Sequence, residues 1–345
     1  LGRVASRRIL RMREPRFWSG DIDPKSREAA PLLRFLLTPL SWLYADITRR
    51  KIASARPLTV DATVICIGNL TAGGVGKSPV VAALRQRLAN TYAVRVATLS
   101  RGYGGKLKGP LKVDPEQHTA SDVGDEPLML SRDGESWIGA DRAAAGRAMS
   151  EDGVNIILMD DGHQNPGLHK DLTLIVVDAK IGFGNGFVIP KGPLREPVSE
   201  GLKRADAVIL VGDGVAPEAV AQSDCVVIRG KVAPTLRPPN QPYVAFAGIG
   251  RPEKFFDTLN GLELDVRDAV PFPDHHAFSD ADRRYLSRLA DDHGATLITT
   301  EKDFERLPEA WRKDVQTLPI EIAFDPSDVL DGLLSRVIPA SKHER

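Results

Sequence analysis

One segment, residues 64–78, constrains the fold more than any other part of the chain. An apolar run breaks into glycines, ends in Gly-Lys-Ser, and leads into a helical pattern over residues 79–88. This order is typical of a phosphate-binding loop, whose backbone N–H groups turn toward a polyphosphate and whose helix presents its N-terminus to the anion. Lys77 would reach the β- and γ-phosphates, and the Ser78 hydroxyl would hold Mg²⁺. The predicted nucleotide contacts are Thr71, Ala72, Gly73, Gly74, Val75, Gly76, Lys77 and Ser78.

The loop departs from the G-x-x-x-x-G-K-[ST] pattern at its first position, where Thr71 stands in place of glycine. Gly73 and Gly74 can supply the missing conformational freedom. An ordinary glycine-rich turn is the alternative, since a bare Gly-Lys-Ser is common by chance. The place of the loop between a strand pattern and a helix pattern favours nucleotide binding.

Composition narrows the class of protein and of partner. A chain of 345 residues is long enough for two domains, and 42% hydrophobic with 27% charged residues is typical of a globular protein. The formal net charge of +0 gives no electrostatic reason to expect nucleic acid as a partner. Cys66 and Cys225 lie in apolar runs and are expected to be buried strand residues. Without a Cys-x-x-Cys or His spacing, they indicate a reducing compartment and no structural zinc.

Strand patterns that alternate with helical ones predict an α/β fold. A helix is expected at 140–150, among further strands at 94–99, 156–159, 173–177, 207–211 and 225–228. Such alternation implies a parallel sheet with helices on both faces. Ligands then bind at the carboxyl ends of the strands.

A second, smaller α/β domain is expected after a proline-rich hinge at 232–241. It would contain strands at 243–247 and 296–300 and a helix at 280–293. The predicted domains are a basic segment with a helix at 1–55, a nucleotide-binding kinase domain at 56–232 and the smaller domain at 233–345.

Acidic and histidine residues cluster at the predicted strand ends. Asp160 and Asp161 close one apolar run, as the Mg²⁺-binding carboxylate of a Walker B element does. Asp125 lies in an acidic loop at 122–127, which is either a solvated turn or the source of a carboxylate that accepts a proton from an attacking hydroxyl. His275 belongs to an Asp-His-His sequence, which favours acid/base chemistry over a metal site because no other ligand has suitable spacing.

Glycine and proline are frequent at 182–186 and 192–197. This loop region either shapes a substrate mouth or connects elements at the surface. Within it, Arg195 beside Glu196 is either a group near phosphate or metal, or a salt-bridged surface pair.

The N-terminal part of the chain combines a basic cluster with an amphipathic helix. Arginines dominate residues 3–16, and Met12 is a candidate for the natural start. From Pro31 to Ile52, apolar residues recur at three- and four-residue spacing opposite a polar face, and Pro39 is expected to kink the helix. Its uncharged stretch is shorter than the roughly 20 apolar residues that span a bilayer. The stripe therefore either lies at a membrane surface or packs on the protein core.

Taken together, these motifs resemble those of the tetraacyldisaccharide 4′-kinase family of Gram-negative bacteria. The resemblance runs from about residue 17 to residue 307. The motifs follow the family's order: Gly-Asn-Leu-Thr and Gly-Gly-Val-Gly-Lys-Ser, then Ser-Arg-Gly-Tyr-Gly-Gly, Val-Gly-Asp-Glu-Pro, Asp-Asp-Gly-His-Gln, Gly-Phe-Gly-Asn-Gly, Gly-Pro-Leu-Arg-Glu-Pro, Phe-Pro-Asp-His-His and Thr-Thr-Glu-Lys-Asp. The family's loop also carries threonine at the position of Thr71. The joint match is highly specific.

The resemblance implies transfer of the ATP γ-phosphate to the 4′-hydroxyl of tetraacyldisaccharide 1-phosphate, the lipid A disaccharide. The product would be lipid IVA, made during lipid A biosynthesis at the cytoplasmic face of the inner membrane. A fold similar to P-loop NTPases, with a smaller second domain, is implied, and the N-terminal helix would touch the membrane surface. ATP and Mg²⁺ would be the cofactors, and neither nucleic acid nor an obligate protein partner is expected.

Carried over by motif, the resemblance also implies roles for single residues. Asp125 would be the general base, assisted by His275, and Lys77 would bind phosphate. The metal would be organised by Ser78, Glu126, Asp160 and Asp161. Residues near the substrate or the reacting groups would be Arg101, Tyr103, Gln164, Asn185, Arg195 and Glu196.

The sequence departs from the family pattern after the paired aspartates. His163 stands where the family usually has phenylalanine, and Asn-Pro-Gly follows at 165–167 in place of basic residues. Two other functions are compatible with a phosphate loop: a kinase for another membrane glycolipid or polyprenyl substrate, and a GTPase-like switch. Guanine-specific switches use Asn-Lys-x-Asp to read the base, whereas Lys302 and Asp303 are adjacent here, which argues against a switch.

Overall fold

The computed structural model describes residues 15–23 and 25–338. The arginine-rich residues 3–13, Met12 among them, lie outside the described residues. The strands of the described residues are β1 Thr63–Gly68, β2 Val96–Ser100, β3 Leu111–Lys112, β4 Ser136–Ile138, β5 Ile156–Asp160, β6 Leu172–Asp178, β7 Ala207–Val211, β8 Val226–Pro234, β9 Tyr243–Ala247, β10 Val266–Pro271, β11 Thr296–Thr300, β12 Val315–Leu318 and β13 Ile320–Asp325.

Helices separate most of these strands. They are α1 Pro31–Ala53, α2 Lys77–Tyr92, α3 Ala120–Val123, α4 Asp125–Arg132, α5 Arg142–Glu151, α6 Val198–Leu202, α7 Glu218–Ala221, α8 Pro252–Gly261, α9 Asp280–His293, α10 Glu301–Phe304, α11 Glu309–Arg312 and α12 Ser327–Val337. Two 3₁₀ turns, Arg16–Trp18 and Arg27–Ala29, precede α1.

The strands form two sheets. The large sheet has the order β13-β8-β7-β6-β1-β5-β2-β4-β3, and the small sheet has the order β10-β9-β11-β12. The inner pairs of the large sheet are parallel, while its edge strands β3 and β13 pair antiparallel with β4 and β8. The small sheet is parallel throughout. The predicted α/β fold with a large, mostly parallel sheet is confirmed.

Both faces of the large sheet are covered because alternate residues of each strand point to opposite sides. In β1, Ile65 and Ile67 pack in one apolar cluster with residues of α2 and α12. Val64 and Cys66 pack in another cluster with residues of α5. Burial raises the pKa of the Cys66 thiol to about 11, so it stays protonated inside the core.

Two local predictions are wrong. The acidic segment 122–127, expected as a loop, lies mostly in the short helices α3 and α4. Gly124 joins them with a φ of 95°, a conformation that glycine adopts readily and that lets Asp125 begin a new helix. Cys225, expected inside a buried strand, is half-buried and precedes β8, which starts one residue later.

The chain leaves the large sheet and returns to it, which the predicted boundary at residue 233 did not anticipate. Strand β8 extends through Pro234, into the expected hinge, and pairs antiparallel with β13. Leu330 and Leu334 of α12 then pack in the same cluster as α2. Residues 320–338, assigned by sequence to the smaller domain, therefore belong to the large sheet. We use "smaller domain" below for residues 243–318, which carry the small sheet.

Helix α1 packs on the protein through its polar face, so its apolar face is exposed. Ser41 is buried and donates a hydrogen bond from Oγ to the carbonyl of Val188 at 2.7 Å. The helix continues through Pro39. The alternative in which the stripe packs on the protein core is therefore wrong. The exposed apolar side chains are Leu32, Leu33, Phe35, Leu36, Leu40, Trp42, Leu43, Tyr44 and Ile47.

Within residues 15–23 and 25–338, we find no helix that is both long enough and apolar enough to cross a lipid bilayer.

Candidate functional site

A cleft of about 2100 Å³ is lined by both sheets. Residues that follow strands of the large sheet face residues that follow strands of the small one, as expected for ligands at the carboxyl ends of parallel strands. From the large sheet they include Lys77, Arg101, Asp161 and Asp178, and from the smaller domain they include Arg251, His275 and Lys302. The cleft is therefore lined by residues of both the large sheet and the smaller domain.

The predicted phosphate loop forms one wall of the cleft. Gly76 has a φ of 93° and caps α2, so Lys77 and Ser78 begin that helix at the cleft. Residues 72–78 all line the cleft. Thr71 does not; it is buried below the loop, and its carbonyl accepts a hydrogen bond from Asn69 Nδ2 at 2.7 Å. Thr71 therefore supports the base of the loop, and its side chain is not placed to contact a nucleotide.

Asp161 is paired with two cations. Its Oδ1 lies 3.4 Å from Lys77 Nζ and 2.7 Å from an Arg195 nitrogen. Burial raises the pKa of Asp161, but the charges of Lys77 and Arg195 outweigh it and hold the pKa at about 2. Asp161, predicted as a metal-organising residue, is therefore placed to position Lys77.

Glu126 and Asp160 lie near Asp161 but are arranged differently from it. Ser78 Oγ donates to Glu126 Oε1 at 3.2 Å. Asp160 is buried, and among the residues that the structure describes its Oδ1 has no hydrogen-bond partner. Burial and the negative charges of Glu126 and Asp161 raise the pKa of Asp160 to about 7. A buried carboxylate of this kind is stabilised by a cation.

This donor set fits a nucleotide-bound Mg²⁺. Within the described ranges no group of three or more His, Cys, Asp or Glu side chains is arranged to hold a metal by itself. Mg²⁺, however, usually binds through one or two carboxylates together with substrate phosphates and water. Ser78, Glu126 and Asp160 supply hydroxyl and carboxylate oxygens beside the phosphate loop, which is the donor chemistry that Mg²⁺ prefers.

Asp125 links the large sheet to the smaller domain. It does not itself line the cleft, but its neighbour Glu126 and its partner His275 do. It is the first residue of α4 and only 5% exposed, and its Oδ2 lies 2.9 Å from His275 Nδ1 and 3.3 Å from Arg306 Nε. Burial raises its pKa, but the hydrogen bond from His275 and the charges of Lys302 and Arg306 outweigh this effect and lower the pKa to about 2. Asp125 is therefore an ionised carboxylate held by residues of the smaller domain, and the solvated-turn alternative is wrong.

His275 is held in a backbone conformation that few residues adopt. Its φ is 54°, and its N–H donates to the carbonyl of Gly248 and to Asp274 Oδ1, each at 3.0 Å. The Tyr103 ring lies 5.6 Å from the His275 ring, centroid to centroid. A non-glycine residue in this region is strained, and such strain is often found where a side chain must be aimed at a site.

The remaining predicted residues divide into two groups. Arg101, Tyr103, Gln164 and Arg195 line the cleft, whereas Asn185 and Glu196 do not. Asn185 Nδ2 donates to the carbonyls of Phe17 and Lys191, so it ties its own loop to the N-terminal segment.

Glu196 and Arg195, for which a surface salt bridge was one alternative, form ion pairs with different residues. Glu196 is 2% exposed, pairs with Arg204, and accepts a hydrogen bond from Gln164 Nε2 at 2.9 Å. Arg195 contacts Asp161 instead. Glu196 therefore contacts Gln164, which lines the cleft, and does not line the cleft itself.

Sequence reasoning missed several charged residues of the cleft. Lys302 Nζ lies 2.9 Å from Glu126 Oε1. Asp178, buried at the end of β6, pairs with Arg251 and Lys254 of the smaller domain. The sequence did contain a signal for these residues, because Asp178 ends an apolar run and Lys302 follows one. Their partners, however, lie far away in the sequence.

Comparison with known proteins decides the family. The family model for tetraacyldisaccharide-1-P 4′-kinases (LpxK) matches residues 33–338. The chain belongs to the tetraacyldisaccharide 4′-kinase family. A tetraacyldisaccharide 4′-kinase of Hyphomonas neptunium is 57% identical over 326 residues, which are 94% of this chain and 98% of the relative. One from Maricaulis maris is 48% identical over 336 residues, 95% of this chain and 97% of the relative.

A solved kinase of the same family has the same fold. LpxK from Aquifex aeolicus, crystallised in complex with ATP, superposes with a TM-score of 0.71 at 26% identity. The match covers 89% of this chain and 99% of the other. The predicted family and its class, a kinase that uses ATP, are thereby confirmed.

In this kinase, the departure from the family pattern at His163 has a structural setting. His163 is buried, its Cβ lies against Gly68, and its Nε2 lies 3.2 Å from the carbonyl of Gly201 and 3.1 Å from Arg204 Nη2. Its Nδ1 is buried and has no hydrogen-bond partner among the described residues. Burial, with the charges of Arg204 and Lys170, lowers the pKa of His163 to about 3.

We expect His163→Phe to reduce the loss of the kinase's free energy of unfolding as the pH falls. An unfolded histidine titrates near pH 6.5, so below about that value the unfolded chain binds a proton at His163 that the folded chain refuses. The free energy of unfolding should then fall with decreasing pH, by up to about 1.4 kcal/mol per pH unit from this residue. Urea unfolding at about pH 7 and about pH 5 would measure it. Equal losses of unfolding free energy between these two pH values in wild type and variant would contradict the conclusion that folded His163 stays neutral.

Proposed function

We propose that this kinase transfers the γ-phosphate of ATP to the 4′-hydroxyl of tetraacyldisaccharide 1-phosphate, giving lipid IVA in lipid A biosynthesis. The contact between Asp125 and His275 carries the proposal, because His275 lines the cleft that the phosphate loop also lines, and the buried carboxylate of Asp125 is bonded to this histidine. Such a pair can take the proton of an attacking hydroxyl. The family membership identifies which hydroxyl that is.

The geometry divides the work among the residues of the cleft. Lys77 and Arg195, both held on Asp161, would stabilise the negative charge that spreads over the transferring phosphoryl group. Asp125 Oδ2 would accept the proton of the 4′-hydroxyl, and His275, bonded to the same oxygen, would orient the carboxylate. Gln164, Arg101 and Tyr103 line the same cleft and are proposed to contact the sugar. Mg²⁺, held by Ser78, Glu126 and Asp160, would neutralise phosphate charge.

We also propose that α1 rests on the membrane that holds the lipid substrate. The exposed fractions of Leu36, Leu40 and Leu43 are 62%, 53% and 56%, an arrangement that leaves a contiguous apolar stripe facing away from the protein. Because ATP is the phosphate donor, the cytoplasmic face of the inner membrane is the proposed location. Tyr44 and Lys51 of the same helix line the cleft, so a lipid head group would have a short path to it.

Changing Leu36, Leu40 and Leu43 together to Gln should weaken the membrane contact without unfolding the protein. Each side chain would lose burial in lipid worth roughly 1.5–3 kcal/mol. We expect a raised KM for the lipid, loss of co-sedimentation with liposomes, and little change in the KM for ATP or in Tm. Leu236→Gln, which alters a leucine that is 69% exposed outside α1, is the control. A destabilised triple variant that still co-sediments would refute the membrane contact.

The test of the function is turnover with purified lipids. The kinase should phosphorylate tetraacyldisaccharide 1-phosphate with ATP, and much less efficiently with GTP. Faster turnover of a polyprenyl or other glycolipid acceptor would favour a different membrane kinase. Hydrolysis of GTP without any lipid acceptor would favour a switch.

A further inference from the structure

A lysine of the smaller domain reaches the carboxylates of the large sheet. Lys302 lies in α10, directly after β11, and the fold of this turn is fixed by Asp303, whose N–H donates to Thr300 Oγ1 at 3.1 Å. Asp303 is fully buried and accepts a hydrogen bond from the N–H of Gly248 at 3.0 Å. The turn therefore holds Lys302 in a defined direction, with Nζ 2.9 Å from Glu126 Oε1.

The ammonium of Lys302 lies among several negative charges. Burial lowers its pKa, but the charges of Glu126, Asp125 and Asp274 outweigh this effect and raise the pKa above that of an exposed lysine. The side chain is 18% exposed and lines the cleft. A largely buried charge is costly unless it is paired. Lys302 is therefore a fixed positive charge of the cleft, unlike a lysine in a surface ion pair.

Glu126 is shared between Lys302 and the metal-binding position. The same Oε1 that contacts Lys302 accepts a hydrogen bond from Ser78, the loop residue suited to Mg²⁺. A divalent cation between Ser78 and Glu126 would lie next to the Lys302 ammonium. Like charges at that separation repel strongly where water is scarce. Bound phosphates would add negative charge to the site and so reduce this repulsion.

We infer that Lys302 and a divalent cation compete for Glu126, and that the ammonium displaced by the cation contacts the phosphates of bound ATP. The inference rests on the proposed function. It makes Lys302 a catalytic residue supplied by the smaller domain. It also means that the cation alone should bind weakly and that ATP and the cation should strengthen each other's binding.

Binding of Mn²⁺ without nucleotide tests the competition on the full chain. Lys302→Met should lower the Kd for Mn²⁺ at least about fivefold, the lower range of coupling between neighbouring sites. The same variant should lower kcat with ATP on the order of 10²-fold, because a phosphate contact is lost. If Lys302 had only a structural role, Lys302→Met would weaken Mn²⁺ binding as well as lower kcat. Mn²⁺ binding to Lys302→Met that is unchanged or weaker would overturn the inference.

Two controls accompany this variant. Lys302→Arg keeps the positive charge and should bind Mn²⁺ as the wild type does. Lys203→Met makes the same substitution in a surface ion pair, in which Lys203 Nζ lies 3.1 Å from Glu200 Oε1. It should change neither the Kd for Mn²⁺ nor kcat.

Amine labelling of the wild type, read by mass spectrometry, is independent of how any variant folds. Mn²⁺ alone should raise the labelling rate of Lys302 because the ammonium leaves Glu126, and Mg²⁺ with ATP should lower it again. A labelling rate that Mn²⁺ does not raise would overturn the inference. Lipid phosphorylation by the wild type is scored separately. An inactive wild type would refute the proposed function, while Mn²⁺ competition would still be decided by the binding data.

Discussion

Asp125→Asn should lower kcat on the order of 10³-fold while leaving the Kd for ATP nearly unchanged. The amide cannot accept the proton of the 4′-hydroxyl, and general-base contributions of about 10²–10⁴-fold are typical. The variant also leaves Arg306 and His275 without their shared carboxylate. Tm should therefore fall, and kcat must be measured at a temperature where the variant is folded.

A double-mutant cycle tests whether Asp125 and His275 act as a unit. His275→Ala should impair the same step, and the double variant should lose much less than the product of the two single losses. Asp122→Asn is the matched control, because Asp122 lies in the same acidic segment but caps α3 through Thr119. Independent, fully multiplicative losses would contradict a shared role.

Lys77→Ala should lower kcat/KM by a factor on the order of 10³ or more. Lys77 lies at the start of α2, and its Nζ is beside Asp161. From there the ammonium can stabilise the negative charge that develops on the transferring phosphoryl group. Removal of the ammonium also leaves Asp161 with Arg195 as its remaining cation. Steady-state kinetics with ATP varied at saturating lipid would measure the loss.

The folding of the Lys77 variant can be separated from its chemistry. Tm should change little, because Lys77 lies at the cleft and is not part of the apolar clusters that pack on the two faces of β1. Lys203→Ala serves as the surface control. Activity of Lys77→Ala within a few-fold of the wild type would show that the loop does not act on the reacting phosphate.

Local features of the fold could be predicted from the sequence because their signals are local. The strands β7 and β9 coincide with the predicted bounds, since each is a short, fully buried apolar run. The helix α9 also has the predicted bounds, because Ser279 and Asp282 form a capping box at its start and Gly294 ends it with a φ of 55°.

Other features depend on contacts between distant residues and could not be predicted from local patterns. Asp125 and His275 are 150 positions apart, and the charges that keep Asp125 ionised come from the smaller domain. From the acidic segment alone, a solvated turn was the favoured interpretation. The return of β13 to the large sheet has the same cause, since no local pattern marks its pairing with β8.

The polarity of α1 shows a different limit of sequence reasoning. The spacing of its leucines predicts an apolar stripe but not which surface covers that stripe. The structure decides between the protein core and the exterior, because Ser41 on the opposite face is the buried residue.

The position of the new phosphate in the lipid product tests the central claim most directly. The kinase would be incubated with tetraacyldisaccharide 1-phosphate, ATP and Mg²⁺, and the purified lipid examined by phosphorus–proton NMR correlation. The proposed function predicts one added phosphorus resonance that couples to the proton at carbon 4′, with the 1-phosphate intact and ADP formed in equal amount. A phosphate at another position, or ADP formed without any phosphorylated lipid, would contradict it.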